Sequence, residues 1–194
     1  MKKLKIIHKY QQGERDFSQV NLVKSDLYRA NLSHANLMGA NLTDANLGRA
    51  NLSNTNLSQA NLSQAKLTGS KLIGACLSSA NLEGANLMYA ELGKTDFKEA
   101  NLRHASLWQA MLNNADLMNA DLSHADLSNA DLVGSSFVGA NLMGADLSGA
   151  NLIAADLGGA NLTGANMTGA NVWNSNLKGA DLTDTILPDG HTHQ

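Results

Sequence analysis

The chain has 194 residues and a formal net charge of −3, with 43% apolar, 16% charged and 4% aromatic residues. It is too apolar for a disordered polyelectrolyte, and no apolar run nears the roughly 20 residues of a membrane span. One cysteine, Cys76, excludes a disulfide framework and a cysteine-based zinc site.

Residues 2–12 place Leu4, Ile7 and Tyr10 at helical spacing, with Ile6 beside them and Lys2, Lys3, Lys5 and Lys9 between. Gly13 suits the end of a helix. This spacing predicts an amphipathic capping helix within residues 1–14. A secretory signal does not fit, because Leu4, Ile6 and Ile7 are interrupted by lysine. With a lone free thiol, a cytoplasmic location is expected.

A five-residue period runs without insertion from Arg15 to Leu187. Stepping by five from Phe17 meets 35 apolar residues: 30 Leu, then Phe17, Phe97, Phe137, Met167 and Val172. Two places earlier 26 of 35 residues are Ala, and immediately before the Leu 27 of 35 are Asn or Asp. A helix does not use this period, since an advance of roughly 140° per repeat spirals the Leu around the axis. Ala, Asn and Leu instead alternate in, out and in, as in a strand. The last two residues make a corner, and 12 of the 17 glycines occupy its second position.

The number of sides comes from the exceptions. Phe17, Phe97 and Phe137 are spaced by 80 and 40. The non-Ala inward residues Arg15, Thr55, Thr95, Ser135 and Ser175 are spaced by 40. Forty divides by 20 and not by 15, which favours four sides over three. The expected fold is an all-β parallel coil over 15–187 of about 8.75 turns, about 42 Å long at ~4.8 Å per turn. Pro188 ends the ladder and leaves 188–194 as a tail.

The Ala-Asn/Asp-Leu-x-x units resemble the pentapeptide repeat family over about 173 of the 194 residues. The resemblance implies an all-β solenoid, a right-handed quadrilateral parallel β-helix. Gly13-Glu14-Arg15-Asp16-Phe17 and Pro188-Asp189-Gly190-His191-Thr192-His193 are similar to the flanks of cyanobacterial members, including the one that regulates heterocysts.

No catalytic, cofactor-binding or metal site is expected. The interior is filled by Leu and Ala, and no Ser-His-Asp set or phosphate loop is present. Cys76 lies at an outward position. His104 and His124, 20 apart, stack against Gly84 and Gly144, which supply no further ligand. Outward Asp residues are expected to bond to local backbone and hold the corner.

The surface offers contacts instead. One column reads Val133, Ile153, Trp173, with Met118, Val138 and Met143 beside it. Elsewhere Met88 sits one turn from Trp108, with Tyr89 adjacent. Exposed apolar clusters containing Trp are candidate protein contacts. Asp116, Asp121, Asp126 and Asp131 belt a single turn. Residues 1–110 carry 13 Lys or Arg and 8 Asp or Glu, net +5, whereas 111–194 carry one Lys and 9 acids, net −8.

These features predict a non-enzymatic rigid scaffold for protein–protein interaction, including a regulatory one. The chain is expected as a monomer or weak self-associate, away from the membrane and without direct nucleic-acid contact. The family resemblance adds a DNA mimic that binds gyrase and protects it. A purely structural or self-associating rod is the remaining alternative.

Overall fold

The structure, a computed structural model, describes residues 3–194, and side chains from residue 5 onward. Met1, Lys2 and the side chains of Lys3 and Leu4 lie outside the described residues. Helix α1 spans Lys3–Gln11. Its Ile6 is fully buried, and Ile7 and Tyr10 pack against the core. The Tyr10 hydroxyl donates to the Ser33 carbonyl at 2.9 Å, and the Arg15 guanidinium lies over the Tyr10 ring at 3.9 Å. The chain leaves the helix through Gly13, at φ +95°.

From residue 16 onward the outward Asn/Asp position of each unit pairs in parallel with the residue 20 places on, from Asp16↔Asn36 to Asn166↔Ile186. Four units therefore make one turn. We number the sides by their first units: 15–19, 20–24, 25–29 and 30–34.

The all-β expectation is overturned. Among the described residues there is no β-strand and no sheet, so the chain is not the right-handed quadrilateral parallel β-helix or all-β solenoid that the resemblance implied. Each unit makes an isolated bridge of one residue. The physical reason is the corner. Its second position takes a positive φ in unit after unit, for example 54° at His104 and 64° at Gly84. The chain turns before a second consecutive bridge can form.

The backbone is nevertheless paired turn to turn, and a unit with Asn or Asp before its Leu bonds every N–H, as 101–105 illustrates. Leu102 donates its N–H to the Asp121 carbonyl in the following turn (2.7 Å) and His104 to that of Ser123 (3.1 Å). Asn101 donates to the Ala80 carbonyl of the preceding turn (2.9 Å), and Ala105 closes the corner onto the Leu102 carbonyl (3.0 Å). The remaining N–H, of Arg103, goes to Oδ1 of Asn101 at 3.1 Å. Asn or Asp suits the position before the Leu because a short side-chain oxygen there meets the one donor the ladder cannot use.

Leu and Ala fill the interior; Leu102 is 0% exposed and Ala105 1%. On the first side Thr95 and Ser135 take Ala positions, and their hydroxyls donate to the carbonyls of Leu72 and Leu132. Phe97 and Phe137 are fully buried in the same units. At the far end the tail folds back, with an antiparallel bridge from Ile186 to Thr192 and the His193 N–H donating to the Thr185 carbonyl.

Candidate functional site

Three of every five side chains face outward, so the outer surface is a set of columns with a register of 20. The fourth side carries Ile73, Gly93, Asn113, Val133, Ile153 and Trp173 at its first corner position. Trp173 is 72% exposed, while Val133 and Ile153 are half-buried. The Trp173 carbonyl accepts from the Ala154 N–H at 3.0 Å and its N–H donates to Asn171 Oδ1 at 3.1 Å. Its backbone is thus fixed while its indole is free to contact a partner.

The other candidate residues divide among the remaining sides. Half-buried Met118 and exposed Val138 stack on the first side, and exposed Met143 lies on the second. Met88 and Trp108, both half-buried, stack on the third, where Tyr89 meets Trp108 edge to face with ring centres 4.9 Å apart.

Sequence reasoning passed over Ile73 and Met111, both exposed on the fourth side. The pattern did mark Met111, which stands where most units have Asn or Asp. Between these two side chains the column has Gly93, and a cavity of about 300 Å³ opens there, lined also by Lys94 and Asn113. Val23, Tyr28 and Met38 are further exposed apolar side chains near the helical end.

The four belt carboxylates are each engaged locally. Asp116 pairs with Lys98 at 2.7 Å, and Asp121 with Arg103 at 3.7 Å. Asp126 accepts from the backbone and hydroxyl of Ser128, and Asp131 from Asn113 Nδ2. Lys98 lies between the stacked carboxylates of Asp96 and Asp116, and its hydrogen bond to Asp116 raises its pKa above the ordinary lysine value. Asp16 is lowered by the Ser18 N–H, and Asp181 by the Thr183 hydroxyl.

Cys76 is half-buried with Sγ 3.3 Å from the Ser78 hydroxyl. The His104 and His124 rings stack 5.3 Å apart at 9°. Among the described residues no three His, Cys, Asp or Glu side chains group to hold a metal. No described helix is long and apolar enough to cross a membrane.

A family profile described as pentapeptide repeats matches the chain in eight copies between residues 15 and 184. Among solved structures, HetL from the cyanobacterium Nostoc sp. strain PCC 7120, described as involved in heterocyst differentiation regulation, is 33% identical; the match covers 100% of each chain with a TM-score of 0.41. Rfr23 from the cyanobacterium Cyanothece 51142 is 37% identical over 60% of this chain and 90% of its own, with a TM-score of 0.48. QnrB1, described as a plasmid-mediated fluoroquinolone resistance protein, is 21% identical over 90% of this chain and 94% of its own, with a TM-score of 0.47. No curated protein matches.

Proposed function

The chain belongs to the pentapeptide repeat family, and on that premise we propose that it is a rigid rod that binds another protein through the fourth-side column ending at Trp173. Its role is non-enzymatic. The interior is closed by Leu and Ala, and many outward Asn and Asp oxygens are occupied by the backbone of their own units.

The observation that carries the reading is Trp173, exposed over 72% of its surface at the end of a column that continues through Ile153 and Val133. A large apolar side chain held by a fully bonded backbone loses little freedom on binding, and Trp is enriched among residues that dominate interface energies. A regulatory role fits such a binder.

The test is affinity capture from the source cell with wild type and a Trp173→Ala, Ile153→Ser double variant. The reading predicts that a specific partner is lost from the variant while its circular dichroism is unchanged. An identical set of captured proteins from a folded variant contradicts it.

The acidic half supports a second reading, a DNA mimic that protects gyrase. Residues 111–194 hold nine acids against Lys178 alone. A gyrase supercoiling assay decides it: protection from a quinolone supports the mimic, and an unaltered reaction removes it. A purely structural rod predicts neither capture nor protection.

A further inference from the structure

Eight of the 35 units lack Asn or Asp before the Leu, and three of these are consecutive on the fourth side: Lys71, Glu91 and Met111. On this side the neighbouring units are closed by their own carboxamide or carboxylate. The Ser33 and Ser53 N–H groups donate to Asn31 and Asn51 at 3.2 and 3.1 Å. Beyond the interruption, Val133 and Ile153 donate to Asp131 and Asn151 at 3.4 and 3.5 Å. Among the described residues no oxygen takes the N–H groups of Ile73, Gly93 or Asn113. Glu91 does not serve Gly93, because its carboxylate faces Lys71 Nζ at 3.3 Å.

The three residues that carry these donors line the cavity at Gly93. Ile73 and Met111, 43% and 44% exposed, form its apolar shoulders, and exposed Lys94 lies at its edge. Gly93 is not required by its backbone, since its φ is not positive, and an added Cβ would meet only the Asn113 carbonyl at 3.6 Å. The missing side chain leaves room rather than relieving strain.

We infer that this notch takes the carboxylate of an aspartate or glutamate carried, beside an apolar residue, on an extended segment of a partner protein. The inference deepens the protein-binding reading and rests on it. Backbone donors offered to an anion make charge-assisted bonds, about twice as strong as neutral ones. Lys94 adds positive charge and Lys71 offsets Glu91, while the nearby Asp131 keeps its charge and takes a bond from Asn113 Nδ2. The apolar shoulders limit water access to those bonds and hold the residue beside the carboxylate.

The test is an amide-resolved NMR titration of the full chain with the peptide acetyl-Leu-Glu-Leu-amide and its Gln counterpart. The expected result is saturable shifts of the Ile73, Gly93 and Asn113 amides with the acidic peptide, and about tenfold weaker binding of the neutral one. Gly93→Val, which fills the notch, abolishes the response. Met111→Asn, which restores the unit's own oxygen, suppresses it at Asn113. Shifts no larger than those of Ser53 and Ile153, or equal binding of both peptides, overturn the inference. Capture insensitive to the Trp173 variant, with these shifts intact, overturns the column alone; normal capture with unresponsive amides overturns the notch alone.

Discussion

At the scale of the residue, the outward Asn or Asp and the inward Leu and Ala do different work. Asn101 accepts the Arg103 N–H, the one donor of its unit that neighbouring turns leave unused. Asn101→Ala removes that acceptor at a partly exposed position and should cost about 1 kcal/mol by urea unfolding. Leu102→Ala empties a fully buried site and should cost about 2–5 kcal/mol. Ala105→Leu should overpack the interior and cost about 1–3 kcal/mol. Equal melting of Ala105→Leu and wild type would show that Ala105 does not face inward. Asp181 makes the corner contact sensitive to pH. Its folded pKa lies below the ordinary carboxylate value of about 3.9. The stabilisation it gives is therefore present above that value and is lost as pH falls through the lower, folded one. Asp181→Asn keeps the acceptor without the titration, so acid unfolding curves should show a smaller loss below about pH 4 for the variant.

At the scale of the element, the five-residue unit and the helix meet at Ile6. Ile6 is fully buried and Tyr10 bonds to Ser33 in the first turn, so α1 covers the end of the stack. Ile6→Ala should cost about 2–5 kcal/mol. Hydrogen exchange should rise first in residues 15–34 and little in the middle turns, because each turn contacts only its neighbours. A uniform rise along the chain would contradict this role. The unit itself is legible in the sequence: the phase of Leu and Ala marks the buried positions, and Asn or Asp marks the residue that closes the corner. The shortness of the extended stretch was not legible. Alternation over Ala, Asn and Leu looks like a strand, yet the positive φ at His104 or Gly84 ends pairing after one residue. The role of Ile73 was not legible either, because Gly93 and Asn113 follow it in its column and break the apolar run before Val133. Met111 and its stacked neighbours Lys71 and Glu91 were legible as departures from Asn or Asp. Their consequence, three backbone donors in line, needed the hydrogen bonds.

At the scale of the whole molecule, the columns and the uneven charge act together. The first 110 residues carry net +5 and the remainder net −8. Attraction between unlike halves is screened within about 10 Å at 0.1 M salt. Light scattering should therefore show any self-association fall from 10 mM to 500 mM salt in roughly the range where the Debye length shrinks below 10 Å. A size that ignores salt excludes charge as its cause. All these surface assignments depend on the twenty-residue register. Thr43 and Ser63, one turn apart on the second side, already bring their hydroxyls to 3.5 Å. In a Cys76→Ser background, Thr43→Cys with Ser63→Cys should form an intramolecular disulfide readily under mild oxidation. Thr43→Cys with Ser58→Cys, fifteen residues apart, should not. Faster closure of the second pair would contradict the register and every column built on it.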